Sequence, residues 1–208
     1  MSKDMPGRNR LTHNEKKLSL LARAIRGTVM WFYRRQGWTE VNANPDLRKC
    51  VIIAAPHTSN WDFVYFLGAA TTLGLPLSFM GKKQLFRWPV GRAMRELGGI
   101  PIDRSSSQNY VQSMVDEFSK RDSFMLTIAP EGTRSKVARW KTGFYHIAVQ
   151  AKVPLVLGLM DYAKKQVGLA GAIWPTGDYL KDMEKVLEFY QTTTPKRPRQ
   201  GSVDFGQI

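Results

Sequence analysis

The chain has 208 residues, 43% of them hydrophobic, and this length favours one domain with a sizeable core over two small ones. Its formal net charge of +14 predicts an anionic partner, meaning nucleic acid, an anionic membrane surface or a phosphorylated substrate. A single cysteine, Cys50, excludes an internal disulfide framework and fits a reducing compartment. Residues 1–17 are polar and lack the apolar stretch of a secretory signal, so we expect the mature chain to start there.

Hydrophobic periodicity predicts an N-terminal amphipathic helix from Asn14 to about Gln36. Its apolar residues share one face and are Leu18, Leu21, Ala22, Ile25, Val29 and Phe32. Two interpretations stay open: the stripe packs on the domain core, or it enters a membrane interface while nearby basic residues meet lipid headgroups. Aromatic residues clustered among arginines, such as Trp31, favour the membrane. We therefore expect residues 1–45 to form a membrane-associating segment.

Beyond that segment, apolar strands alternate with helices. The predicted elements are strands at 51–55, 77–81, 100–104, 124–129 and 155–159, and helices at 60–74, 89–97, 105–120 and 142–151. The uncharged run 63–81 approaches the length of a membrane span, but its glycine, threonine and proline residues divide it into a buried helix, a turn and a strand. This alternation predicts an α/β domain at 46–190, with a largely parallel central sheet flanked by helices, and an irregular basic tail at 191–208.

Polar residues directly follow four of the predicted strands. They are His57 after the first strand, Lys82 after the second, Arg104 at the end of the third, and Glu131, Gly132, Thr133 and Arg134 after the fourth. Sites in parallel sheets form outside the carboxyl ends of the strands, so we expect these residues to share one site. For Lys82, a solvated surface position explains the residue equally well.

The spacing of His57 and Asp62 decides under which local structure their side chains can meet. On one continuous helix, residues five apart point about 140° away from each other, so the two side chains would not meet. If His57 lies in the turn and Asp62 in a helix capped by Thr58 or Ser59, the imidazole can fold back onto the carboxylate. Asp62 would then fix the tautomer, and the other ring nitrogen could take a proton from a hydroxyl. Alternatively, the histidine serves only as a capping or hydrogen-bonding residue.

Together these segments resemble the glycerolipid acyltransferases, the superfamily of lysophosphatidate (1-acylglycerol-3-phosphate) and glycerol-phosphate acyltransferases. The resemblance covers about residues 50–160 and is carried, in order, by His57 with Asp62, by Ile102-Asp103-Arg104, by Pro130-Glu131-Gly132-Thr133-Arg134-Ser135 and by Val153-Pro154-Leu155. A His and an Asp at this spacing are common by chance. Their occurrence ahead of a Glu-Gly-Thr-Arg block is far more specific.

The resemblance implies an O-acyltransferase of phospholipid biosynthesis. It would move a fatty acyl group from acyl-CoA or acyl carrier protein to the hydroxyl of a lysolipid, with 1-acylglycerol 3-phosphate as the favoured acceptor. His57 would be the general base and Asp62 its orienting partner, while Arg104 and the residues from Glu131 to Arg134 would hold the acceptor, with Lys82 as a further anion contact. No metal and no redox cofactor is implied. We expect a peripheral or monotopic protein on the cytoplasmic face of a membrane, as in a bacterial inner membrane.

Other functions compete with this interpretation. Pro56, Gln84 and Pro101 depart from the family's pattern, which leaves a phosphate-free lyso-aminolipid open as the acceptor. A non-enzymatic basic module that binds nucleic acid or membranes also stays open, although nucleic acid is the less favoured partner. A hydrolase is disfavoured because the chain has no Gly-x-Ser-x-Gly motif. A metal enzyme is disfavoured because the histidines of the chain are dispersed, with no two at ligand spacing.

Overall fold

A computed structural model describes residues 18–44, 46–102 and 107–198. Its helices are α1 (Leu20–Arg34), α2 (Asn60–Leu73), α3 (Gly91–Glu96), α4 (Ser107–Lys120), α5 (Gly143–Ala151) and α6 (Tyr179–Gln191), with a short 3-10 helix at Lys83–Phe86. Its strands are β1 (Thr39–Asn42), β2 (Lys49–Ala54), β3 (Leu77–Lys82), β4 (Gly99–Ile102), β5 (Phe124–Ile128), β6 (Leu155–Asp161) and β7 (Gln166–Ile173). Each strand and helix predicted from the sequence has its counterpart here.

Within the described residues, the strands form one seven-stranded sheet in the order β1-β7-β6-β2-β5-β3-β4. Neighbouring strands are parallel except β6 and β7, which run antiparallel. The predicted α/β class with a largely parallel sheet is therefore confirmed. In this order β2 and β5 are adjacent at the middle of the sheet, so the loops that follow them lie side by side at one edge.

Both faces of the central strand β2 are covered. Val51 and Ile53 belong to a core shared with α4, α5 and α6, whereas Cys50 and Ile52 belong to a second core on the opposite face, where Phe66 of α2 packs. This explains why β2 is apolar at every position from Cys50 to Ala54 rather than at alternate ones. Burial raises the pKa of the Cys50 thiol to about 12, which fits the packing role expected of it.

The N-terminal helix begins at Leu20, with Ser19 as its N-cap, and not at Asn14. Much of its apolar stripe packs on the domain: Ala22 is fully buried in a cluster with residues of α3, and Tyr33 is buried against α2. A Cβ on Gly68 of α2 would lie 2.4 Å from the Tyr33 ring, so the two helices are in close contact. Four residues of the stripe therefore contact protein, namely Leu18, Ala22, Ile25 and Phe32. Leu21 stays 42% exposed, so core packing is supported for most of this face but not for all of it.

Several elements were not predicted from the sequence. The strand β1 pairs with β7, so the sheet starts at Thr39, ahead of the expected domain boundary at residue 46. The strand β7 and the helix α6 complete the domain on its C-terminal side. Residues 192–197 follow α6 without helix or strand, whereas residues 199–208 of the expected tail lie outside the described part. No helix among the described residues is long and apolar enough to cross a membrane.

Candidate active site

The site is built on the turn between β2 and α2. Ser59 is the N-cap of α2, and Asp62, in the first turn, forms a capping box with it. The carboxylate oxygen Asp62 Oδ2 accepts hydrogen bonds from the backbone N–H groups of Thr58 and Ser59, both at 2.8 Å. The helix start therefore fixes the orientation of the Asp62 carboxylate before any other side chain contributes.

His57 lies just before this turn and folds back onto Asp62, as the spacing predicted. Its Nδ1 atom is 3.1 Å from Asp62 Oδ2, and the imidazole is 27% exposed. An ionised carboxylate can only accept, so the proton of this hydrogen bond is on Nδ1. In the neutral imidazole the other ring nitrogen, Nε2, then carries a free lone pair and can accept a proton from a substrate.

Asp62 is held ionised although it is buried. Burial by itself raises the pKa of the carboxyl group, but hydrogen bonds from His57, from the Tyr162 hydroxyl and from the Ser59 backbone outweigh that effect and lower the pKa below its usual value. The Tyr162 hydroxyl donates to Asp62 Oδ1 at 2.6 Å. Both oxygens of the carboxylate are thus engaged, and the side chain can orient His57 and stabilise its protonated form.

Glu131 is a buried residue that stabilises the turn carrying His57. It is 5% exposed, and its Oε1 accepts a hydrogen bond from the His57 backbone N–H at 3.0 Å. Burial raises its pKa to about 7, against a smaller opposing effect of that hydrogen bond. Its Oε2 has no hydrogen-bond partner among the described residues. In this position Glu131 holds the turn that carries His57, whereas the resemblance implied a residue that contacts the acceptor.

The remaining residues of the Glu-Gly-Thr-Arg block lie at the surface of the same edge. Gly132 has φ of 65°, a left-handed conformation that glycine adopts without strain. Thr133 and Arg134 are exposed, and an Nη1 donor of Arg134 bonds to Asn60 Oδ1 at the start of α2. The Glu-Gly-Thr-Arg block therefore places Arg134 next to the start of α2, the helix that contains Asp62.

The structure brings some predicted residues together and leaves others apart. Lys82 is the last residue of β3 and is exposed, on the strand next to β5, and within the described ranges no hydrogen bond or ion pair joins it to His57 or Asp62. Arg104, predicted as an acceptor contact, lies outside the described residues. Both assignments stay predictions.

Sequence reasoning missed Tyr162 and the segment that follows α6. Tyr162 comes directly after β6, the other neighbour of β2, so the strand-end rule that found His57 would also have found it. Arg197 has no such signal, yet its backbone N–H donates to the Thr58 hydroxyl at 3.3 Å. A cleft of about 250 Å³ opens here and is lined by Thr58, Ser59, Asn60, Trp61, Arg134, Ser135 and Arg197.

A larger cavity, of about 790 Å³, lies on the other side of the Glu131 loop. Pro130 and Gly132 line it beside mostly apolar residues such as Met80, Ile128 and Phe144. His57 is not part of its wall. Within the residues that the structure describes, no group of three His, Cys, Asp or Glu side chains could hold a metal ion.

A mostly parallel sheet with a His–Asp pair after its central strand, the imidazole partly exposed, defines an enzyme-like α/β domain. The acyltransferase family model matches residues 36–156, more than half of the chain, so the chain belongs to the acyltransferase family, as the motifs had suggested.

Among curated proteins, the chain is similar to the 1-acyl-sn-glycerol-3-phosphate acyltransferase of Limnanthes alba, with 31% identity over 66% of this chain and 50% of that protein. It is also similar to the Escherichia coli enzyme of the same name, with 32% identity over 57% of this chain and 49% of that protein. The chain thus spans about half the length of these relatives. The crystal structure of the 1-acyl-sn-glycerophosphate acyltransferase PlsC from Thermotoga maritima shares the fold, with a TM-score of 0.52 and 19% identity over 81% of this chain and 77% of that one.

Proposed function

We propose that this protein transfers a fatty acyl group from an acyl thioester to the free hydroxyl of 1-acylglycerol 3-phosphate. The observation that carries the proposal is the 3.1 Å contact between His57 Nδ1 and Asp62 Oδ2 at the edge of the sheet. Membership of the acyltransferase family and the names of the plant and bacterial relatives support it.

The His–Asp pair can perform the proton transfers that this reaction needs. His57 Nε2 accepts the hydroxyl proton while the acceptor oxygen bonds to the thioester carbonyl carbon. Asp62 stabilises the imidazolium that results, since it remains ionised 3.1 Å away. As the tetrahedral intermediate collapses, the carbon–sulfur bond breaks and the proton passes from Nε2 to the departing thiolate. The products are an ester and a free thiol.

The acyl donor is acyl-CoA or acyl carrier protein, and its acyl chain needs an apolar site. The 790 Å³ cavity has that character, and its wall includes Pro130 and Gly132. These residues flank Glu131, whose carboxylate bonds to the His57 backbone. A chain seated in this cavity would therefore end close to the turn that carries the base.

A phosphate-bearing acceptor is favoured over a phosphate-free lysolipid. Arg134 lies in the cleft beside Asn60, two residues before Asp62, and a guanidinium can bind phosphate through two parallel hydrogen bonds. An uncharged acceptor would leave this cation without a role in binding. Lys82 and Arg104 are further proposed contacts for the same group or for phosphates of the donor.

We also propose peripheral attachment to an anionic membrane surface, on the cytoplasmic face in a bacterial cell. Trp88 is 94% exposed on the loop after the 3-10 helix, and Leu85 and Val90 beside it are exposed as well. Arg87, also exposed, adds positive charge to the same loop. Exposed tryptophan next to arginine suits the headgroup layer of a bilayer. This loop, rather than the packed stripe of α1, supplies the apolar surface for lipid.

The experiment that tests the proposed reaction incubates the purified protein with acyl-CoA and a panel of lysolipids. The panel contains lysophosphatidate, a lyso-aminolipid and an uncharged monoacylglycerol, and the products are identified by mass spectrometry. We expect phosphatidate with matching release of free CoA thiol. Preferred acylation of the lyso-aminolipid would overturn the acceptor assignment. Thioester hydrolysis without any acylated lipid would overturn the transferase assignment.

A further inference from the structure

The chain after α6 returns to the active site and is fastened there. The Tyr162 backbone N–H donates to the Thr194 carbonyl at 2.8 Å, and the Arg197 backbone N–H donates to the Thr58 hydroxyl at 3.3 Å. Between them, Lys196 Nζ lies 4.8 Å from the centroid of the Trp61 ring, a cation–π contact. Residues 194–197 are here called the C-terminal strap. The strap is therefore hydrogen-bonded to the loop after β6 and to the β2–α2 turn that carries the His–Asp pair.

The strap brings a second arginine to the polar cleft. Arg197 and Arg134 both line its wall, at the start of α2. Three backbone N–H groups at the cleft are already used: those of Thr58 and Ser59 bind Asp62, and that of Trp61 donates to Ser59 Oγ. The cleft also presents two arginines from distant parts of the sequence, and these supply the positive charge that an anion would meet there.

We propose that Arg197 and Arg134 together clamp the phosphate of the lysolipid acceptor, and that the strap makes the enzyme selective for an anionic acceptor. The proposal rests on the function proposed above. Two guanidinium groups on one small cleft repel each other when it is empty, and a phosphate dianion removes that repulsion while it accepts hydrogen bonds from both. Arg197 lies outside residues 36–156, so this selectivity comes from a part of the chain that the family match does not cover.

The test compares Arg197→Ala and Arg197→Lys with Arg48→Ala. Arg48 is an exposed arginine just before β2, at the opposite end of the strand that leads to His57, so its removal matches the change in net charge without touching the cleft. Both arginines of the clamp are exposed, so solvent screening limits each contact to about tenfold in affinity. We expect Arg197→Ala to raise KM about tenfold for lysophosphatidate but not for monoacylglycerol, and Arg48→Ala to change neither. Arg197→Lys should recover part of the loss.

A direct binding measurement separates this proposal from the proposed reaction. Calorimetric titration with sn-glycerol 3-phosphate needs no turnover, and Arg197→Ala should bind it about tenfold more weakly than the wild type does. If the wild type transfers no acyl group but this difference in binding persists, the reaction is wrong and the clamp stands. Equal binding by the wild type and Arg197→Ala would overturn the clamp. Equal loss of activity toward lysophosphatidate and monoacylglycerol would also overturn it, because the strap would then act only by holding the His57 turn.

Discussion

The hydrogen bond from Tyr162 to Asp62 allows a sharp test of how the base is oriented. Tyr162→Phe removes one hydroxyl and keeps the ring that packs on Trp38 and Tyr65. A hydrogen bond to an ionised group contributes about 1.5–3 kcal/mol. Asp62 keeps its three donors at Oδ2, so we expect a loss of stability near the lower figure, about 1.5 kcal/mol.

The same change should slow the reaction. Without the donor at Oδ1 the carboxylate can turn about its axis, and its alignment with His57 Nδ1 weakens. We expect kcat to fall about tenfold, equivalent to about 1.4 kcal/mol, with KM unchanged because Tyr162 does not contact the acceptor in this account. Steady-state kinetics with acyl-CoA and lysophosphatidate measure both parameters.

The pH dependence of stability provides a second readout. Hydrogen bonds lower the pKa of Asp62 in the folded protein, so their stabilisation is present above the unfolded-state value of about 4 and is lost as the pH falls through the folded value. The difference in unfolding free energy between wild type and Tyr162→Phe should therefore be largest at neutral pH and shrink below about pH 4. Denaturant titrations at pH 7 and at about pH 2 measure it, because the folded-state pKa of Asp62 lies below its usual value.

The protein contains a matched control for this variant. The Tyr145 hydroxyl donates to Asp182 Oδ2 at 2.8 Å, a second tyrosine–aspartate pair, remote from His57. Tyr145→Phe should lower stability by at least as much, because the Tyr145 hydroxyl also accepts from the Gly177 N–H at 3.1 Å, and it should leave kcat unchanged. The reasoning is refuted if both variants lose the same activity, or if Tyr162→Phe loses stability but keeps the wild-type kcat.

Two further predictions concern the buried Glu131 carboxyl group and the exposed loop proposed to contact the membrane. Because burial raises the pKa of Glu131 to about 7 from an ordinary value of 4.5, the wild type should lose up to about 3 kcal/mol of stability as the pH rises through this window. Glu131→Gln has no charge to bury, so its unfolding free energy should change less between pH 5 and pH 8; an identical pH dependence would contradict the assignment. Trp88→Ala should reduce flotation with anionic vesicles. Trp174→Ala removes a 64% exposed tryptophan at the opposite edge of the sheet and should not reduce it. Equal effects of the two changes would assign lipid contact elsewhere.

The His–Asp pair was predictable because its geometry is local. An apolar strand, a polar turn and a helix cap are all encoded within residues 50–62, and together they decide that His57 folds back onto Asp62. Tyr162 and Arg197 reach the same site through contacts across 100 and 139 residues of sequence. The strand-end rule could have singled out Tyr162 as a residue at the same edge of the sheet, but it does not show that its hydroxyl binds Asp62. No local pattern indicates the contact of Arg197, which depends on the path of the chain after α6.

The N-terminal helix shows a different limit. An apolar stripe has the same periodicity whether it meets lipid or protein, so the sequence left both interpretations open. The close contact of Gly68 with Tyr33, which supports core packing, joins two helices and cannot be seen from either helix alone. The strand β7 was missed for a propensity reason: it contains Gly168 and Gly171, and glycine is unfavourable within strands.

The proposed acyl transfer depends most directly on His57 as the general base. The decisive measurement is the rate of phosphatidate formation by His57→Ala, with acyl-CoA and lysophosphatidate at saturating concentrations and circular dichroism to verify the fold. The account predicts a rate at least about 10²-fold below that of the wild type, with an unchanged spectrum. A folded His57→Ala protein that turns over at close to the wild-type rate would contradict it.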